Sequence, residues 1–399
     1  MRTSGLRNGL CLGWVVIAGT WGLQPAQALE MESISRTGQV EWTNAVQTDA
    51  WYRVEWTGDL PSGDWRRSGQ AFGPVQAQSN TTFTATVPMA YRVVMSTNPS
   101  PAGMAMVDGG PFQMGLADAL GWENYQPAHE VEVSPFYIDR YEVSSEQARQ
   151  VMQWAYDAGR VTVTGDVVRS VSVSPADLLE LGDDSFHTLN FVTGQFYVVT
   201  YPAISQEENL PMGNFTWKGA LAYCHFRSLM EGIESGINIK SFACDFDAPG
   251  YRLPTEAEWE KAARGGLTQN FFPWPSWGGT YGSHIDKGKA NYDATGLKPR
   301  GFYNGAQSPD TGPDMANGFG LYDMAGSLYE WCWDWYQIDW YDDPAASDPD
   351  TEGPSGPLTY RVIRSGYYGS TSGTIRCFDR AFSVLSGGYA VGFRCVRRP

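Results

Sequence analysis

Beyond residue 265 the chain loses any sustained hydrophobic period and becomes a run of Gly, aromatic and Asp residues. Such a texture builds turns and short strands, not long helices. Composition points the same way: 45 Gly and 24 Pro stand beside 16 Trp and 21 Tyr in 399 residues. A loop-rich fold packed by aromatic rings follows, and a helical bundle is excluded. Hydrophobic residues make up 42% of the chain, enough for a sizeable core. A formal net charge of -16 argues against nucleic acid or anionic lipid as the main partner.

The first residues read as a signal peptide spanning 1–28. Arg2 and Arg7 supply positive charge, Leu10 to Leu23 is apolar, and Ala26-Gln27-Ala28 is a small-x-small cleavage site. The mature chain is expected to begin near Leu29 and to be extracytoplasmic, periplasmic or secreted. No later segment is long and apolar enough for a bilayer, so an integral membrane protein is not expected. Cys11 leaves with the leader. Cys224, Cys244, Cys332, Cys377 and Cys395 then face an oxidising compartment in odd number.

Residues 29–95 are expected to form a small all-β domain. Ala50–Trp56 alternates, and Thr81–Val87 and Tyr91–Met95 are β-rich. Residues 96–102 read as a Pro/Ser linker, and 103–398 as the main α+β domain. Within it, Ser144 and Gln147 predict a capping box, with Ala148, Val151, Met152 and Ala155 on one helix face and Gly159 past its end. Residues 161–199 look like an insertion of short strands. A second helix is expected near Thr216, with Trp217, Ala220, Leu221 and Cys224 on one face. A third follows Pro254, capped by Thr255 and Glu258 and ended by Gly265.

Six separated runs carry a resemblance. They are Gly109–Gly115 (GGPFQMG), Gly219–Cys224 (GALAYC), Tyr251–Arg264 (YRLPTEAEWEKAAR), Gly318–Trp335 (GFGLYDMAGSLYEWCWDW), Arg361–Tyr368 (RVIRSGYY) and Gly392–Cys395 (GFRC). In this order they resemble the formylglycine-generating-enzyme, or sulfatase-modifying-factor, family, over roughly three quarters of the chain. The resemblance implies a fold related to C-type lectins, with little regular structure. Most of the matched residues are read as framework: Trp259, Trp331, Trp333 and Trp335 are expected in the core.

Well-studied members of the family oxidise a sulfatase cysteine with copper held by two reactive cysteines. Soft copper(I) prefers thiolates. Here Ser370 stands where the resemblance places the first cysteine, the second has no counterpart, and Cys377 matches a structural cysteine downstream. Ser370, Cys377 and Cys332 are the remaining catalytic candidates, and copper is not expected. Other members bind iron through histidines, but His129, His187, His225 and His284 form no H-x-x-x-H or H-x-H pair, which argues against iron. The resemblance implies structural calcium instead. Asn291 and the Tyr292 carbonyl match one site. Glu330 with the Ala325, Gly326 and Leu328 carbonyls matches the other. The alternative for Glu330 is a carboxylate paired with an Arg. Cys224 and Cys395 match a family disulfide. Cys377 either pairs with Cys332 or stays free, and Cys244 has no evident partner.

Three functional readings remain open. One is an oxidase with altered metal chemistry, with a sulfatase as the partner the resemblance implies. Another is a non-catalytic module binding a protein or glycan. The last is a structural surface protein held by calcium and disulfides.

Overall fold

The structure is a computed structural model. It describes residues 30–34, 39–43, 51–57, 66–67, 75–76, 82–86 and 90–96, then 101–399 except 118–123, 172–174, 183–187, 200–205, 276–284 and 308–311. The chain divides into two compact units, Met1–Pro99 and Ser100–Pro399. The expected signal peptide, Cys11, residues 97–100 of the expected linker, His187 and His284 lie outside the described residues.

In the first unit the described backbone is strand. β1 (Glu30–Ile34), β2 (Gln39–Thr43) and β6 (Thr82–Thr86) form one antiparallel sheet. The alternating run at Trp51 becomes β3 (Trp51–Thr57), which pairs with β4 (Arg66–Arg67), β5 (Val75–Gln76) and β7 (Ala90–Ser96).

The second unit is α+β with short elements. β8 (Met104–Val107), β9 (Gly110–Met114), β10 (His129–Val133) and β11 (Phe136–Asp139) precede α1 (Ser145–Asp157). The Ser144 hydroxyl accepts from Gln147 N at 3.1 Å and the Gln147 side chain accepts from Ser144 N at 3.0 Å, closing the predicted capping box. Ala148, Val151, Met152 and Ala155 are buried, as their spacing requires.

The described residues of 161–199 contain five short strands. β12 (Val161–Thr164), β13 (Val167–Ser170) and β14 (Asp177–Glu180) make one antiparallel sheet, and β15 (Leu189–Val192) with β16 (Gln195–Val198) makes a hairpin. Rings of Phe191 and Phe196 pack on Tyr156 of α1.

α2 (Trp217–Met230) is buried on more than the one predicted face. Ala222, Tyr223 and Phe226 are enclosed as well as Trp217, Ala220, Leu221 and Cys224, because β14 and α1 flank the helix. α3 (Glu256–Arg264) has its predicted capping box, and Gly265 closes it in a left-handed conformation at φ 58°. Every residue of α3 is buried, charges included. The core sheet runs β19 (Ala381–Val384), β18 (Tyr360–Arg364), β17 (Tyr329–Trp335), β20 (Val391–Gly392), with only the β17–β20 pair parallel. β21 (Val396–Arg397) joins β11 and β8 in a separate sheet.

Candidate functional site

The turns at the ends of β17 and β18 gather most of the predicted site residues. β18 is followed by Ser365, which sits at φ 77°, a left-handed conformation that favours glycine. The Ser365 hydroxyl donates to the Gly326 carbonyl at 2.9 Å, tying this turn to the one before β17. Asn291 joins them. Its carbonyl accepts from Ser327 N at 2.9 Å, and a β-carbon on Gly326 would lie 2.2 Å from that oxygen, so glycine is required there. Asn291, Ala325, Gly326 and Leu328 therefore belong to one docked pair of turns.

Two predicted calcium ligands are engaged elsewhere. The Tyr292 carbonyl accepts from the Lys287 ammonium at 2.5 Å, and Lys287 also reaches the Asp293 carbonyl at 2.5 Å. Glu330 is fully buried, and its two oxygens meet Arg394 Nε and Nη2 at 2.7 Å each. The Trp259 indole N–H donates to the same carboxylate at 2.8 Å. Glu330 thus follows the Arg-pair alternative, and a cation at this carboxylate would compete with a two-point guanidinium pair.

The candidate catalytic residues are equally committed. The Ser370 hydroxyl accepts from Tyr367 N at 3.0 Å, and the Ser370 carbonyl accepts from Asp293 N at 2.8 Å. That holds the serine in a tight, buried turn. Cys377 is fully enclosed; its N–H donates to the Phe271 carbonyl at 2.7 Å and its carbonyl accepts from Arg364 Nη2 at 2.6 Å. Burial pushes its thiol up to about 12. Cys332 lies in the same core cluster, and burial holds its thiol well above the ordinary value. Two neutral thiols and a serine hydroxyl do not fit copper(I), which takes thiolates.

His129 and His225 are not brought together. The first contacts the Pro127 carbonyl and the edge of Tyr341, the second the Ser235 hydroxyl. Among the described residues no three His, Cys, Asp or Glu side chains converge as a metal cluster. Trp259 and Trp331 are core residues, as expected, while Trp333 and Trp335 are only half-buried. Arg361 lies between the Trp217 and Trp335 rings, 3.6 and 3.5 Å from their centroids.

All five described cysteines are thiols. Cys224 and Cys395 are both buried with their sulfurs 3.6 Å apart. This contact between α2 and the segment before β21 makes the pair ready for oxidation, and the expected disulfide has a direct check. A non-reducing peptide map of protein purified without reductant should recover the two cysteines in one cross-linked fragment; both recovered as free thiols would end that expectation.

Sequence reasoning missed two acids beside the Glu330–Arg394 pair. Glu142, just before the α1 cap, is fully buried, and neither carboxylate oxygen has a hydrogen-bond partner. Burial, and then the nearby Asp323 carboxylate, push its pKa up to about 8. Asp323 sits at φ 57° and accepts from Gly301 N at 2.6 Å; burial raises it to about 6. No spacing signal announces either residue. Only the absence of any apolar or capping role for Glu142, ahead of a clear capping box, sets it apart.

Comparison with known proteins agrees with this framework. Residues 91–399 match the family model described as the sulfatase-modifying factor enzyme 1-like domain. The formylglycine-generating enzyme of Thermomonospora curvata is 30% identical over 323 residues, covering 74% of this chain and 94% of that protein. The formylglycine-generating enzyme of Streptomyces coelicolor is 29% identical over 312 residues, covering 74% and 90%. A serine/threonine-protein kinase, pkn1, of Chlamydia caviae is 30% identical over 302 residues, covering 74% of this chain but 38% of that relative. Among solved structures, Treponema denticola variable protein 1 has a TM-score of 0.48 at 23% identity, covering 74% of this chain and 95% of that one. PvdO from Pseudomonas aeruginosa has a TM-score of 0.48 at 22% identity, covering 74% and 94%. From six ordered motifs and a model match spanning most of its length, the chain belongs to the sulfatase-modifying factor enzyme 1-like family.

Proposed function

We propose that this chain is an extracytoplasmic binding module on the family scaffold, recognising a protein or glycan, and that it does not carry out copper-dependent cysteine oxidation. The observation that carries this reading is the state of the would-be copper segment. Ser370 is a hydrogen-bonded turn serine, and Cys377 and Cys332 are enclosed thiols raised by burial. Thiolate ligation of a soft metal needs the opposite environment.

A surface feature favours binding. Phe382 on the outer strand β19 is 48% exposed and packs between Tyr336 and Tyr360, with ring centroids 4.6 and 4.7 Å away. Ile338 nearby in sequence to Tyr336 is 64% exposed. Half-exposed aromatic rings are the usual anchors of recognition surfaces.

The test of the chemistry is direct. Copper-loaded mature protein, a Cys-x-Pro-x-Arg peptide, air and a reductant should leave the peptide thiol unchanged by mass spectrometry. Appearance of the aldehyde product would overturn the reading, and its loss in Cys332→Ser or Cys377→Ser would locate a rebuilt copper site. Export has its own check: N-terminal sequencing of the mature protein should begin near Leu29, and retention of Met1 would refute the leader.

A further inference from the structure

We propose that β19 accepts an extended peptide segment as an added strand, apolar in its middle and flanked by lysine or arginine; this rests on the binding-module reading and narrows it from protein or glycan to peptide. β19 is the end strand of the core sheet, with β18 on one side. Among the described residues no strand lies on its other side, and the Ala381–Ser383 main chain bonds only to β18. Protected edges commonly carry a lysine, a proline or a bulge. β19 reads Ala-Phe-Ser-Val and keeps an unbroken register with β18. Such an edge presents N–H and C=O groups to an incoming backbone. It is only four residues long, so side chains must add to the affinity. Phe382 and Val384 point to the same side, and Tyr360 stands opposite Val384 in the ladder. All three are more than a third exposed, and the Tyr336 ring packs on Phe382.

The border of this edge fixes the charge of the partner. Arg380, just before β19, donates to the Gln337 carbonyl at 3.4 Å, so the chain leaving Tyr336 runs beside the strand. That chain carries Asp339, Asp342 and Asp343, all exposed. Asp339 accepts from Gln337 Nε2 and Asp343 from Ala345 N, and among the described residues no cation pairs with any of the three. The neighbouring arginines are engaged: Arg364 and Arg380 on Glu256, Arg376 on Asp379, and Arg361 between the Trp217 and Trp335 rings. An uncompensated acidic border attracts lysine and arginine. It repels acidic glycans and a second copy of a chain whose net charge is -16. A sugar also lacks the evenly spaced backbone groups that would match the edge.

The experiment uses the whole chain and a fluorescent peptide, Lys-Lys-Thr-Val-Thr-Val-Lys-Lys, with binding read by anisotropy. Wild type should bind it, more weakly as salt rises. The same peptide with Glu in place of each Lys should not bind. Two further versions carry N-methyl groups on alternate residues, one for each edge of the added strand; one of them should lose binding while the other keeps it. Phe382→Ser, at an exposed position, should weaken binding about tenfold or more. The double variant Asp339→Lys, Asp342→Lys should shift preference toward the Glu peptide. No binding of the Lys peptide, equal binding of the Lys and Glu peptides, or full binding by both N-methylated versions overturns the proposal. Dimerisation that Phe382→Ser abolishes, without peptide binding, would assign the edge to a second copy and overturn it too. Glycan-array binding lost in Phe382→Ser, without peptide binding, would overturn it while leaving the binding-module reading in place.

Discussion

Arg364→Leu should leave little folded protein. Arg364 is fully buried at the end of β18 and reaches α3 with both arms: Nη1 to Glu256 at 2.9 Å and Nη2 to Glu260 at 2.6 Å. Nη2 also donates to the Cys377 carbonyl at 2.6 Å. Other arginines cover part of the same carboxylates, Arg380 on both oxygens of Glu256 and Arg264 on Glu260 Oε1. No other cation holds Glu260 Oε2 among the described residues, so leucine strands a charge in the core. Breaking one partner of such a pair costs about 3–5 kcal/mol, a large share of the stability of an ordinary protein. Arg364→Lys should also be poor, because an ammonium cannot span two carboxylates from one fork. Urea unfolding provides the measure. A midpoint for Arg364→Leu within about 1 kcal/mol of wild type would show that the network is not what holds α3 to the sheet.

The second large effect is expected from the smallest change. On an exposed helix, replacing glycine by alanine stabilises by about 1 kcal/mol. At Gly219 the sign should reverse. A β-carbon there would sit 1.7 Å from the Leu178 carbonyl oxygen, 2.6 Å from its carbon and 3.0 Å from its Cα. All three atoms are backbone, so no rotamer change relieves the clash. α2 would have to move off β14, breaking the Thr216 N–H bond to Leu178 O at 3.0 Å and the Thr216 hydroxyl bond to Asp177 O at 2.7 Å. We expect Gly219→Ala to destabilise by about 3 kcal/mol, lowering Tm by roughly 6 °C or more. An unchanged melting curve would mean that the helix and strand separate freely.

These two positions also show what the sequence disclosed and what it hid. The capping residues Ser144, Thr216 and Thr255 are local signals, and each starts its helix where the neighbouring residues say it should. The run Glu256–Arg264 carries five charged side chains in nine residues, and nothing local says that they are enclosed. In the fold all of it is buried, because its partners Arg364 and Arg380 lie 108 and 124 residues away, beyond any local pattern. An arginine partner for Glu330 is one of the two sequence readings, but which arginine it is stays hidden for the same reason, Arg394 being 64 residues away. The order of the short strands also escaped prediction, since β17 takes β18 on one side and the much later β20 on the other. By contrast, the serine at position 370 is readable from the sequence directly, and what the fold adds is that its hydroxyl is buried in a turn and accepts from Tyr367 N.

The pairing of β20 with β17 and of β21 with β11 has a consequence for biogenesis. Arg394 donates to the Asp139 carbonyl across 255 residues, and Val396 lies beside Ile138 in the sheet. A nascent chain that has already paired β11 with β8 must wait for almost the whole unit before β21 closes the other edge of that strand. Until then Glu330 lacks its guanidinium and the central sheet lacks one margin. Contacts of such long sequence separation close slowly and late. The polypeptide therefore stays open during synthesis and should depend on chaperones while it does. On the export route proposed above, that delay would help threading through a membrane pore, since closure and translocation compete for the same residues.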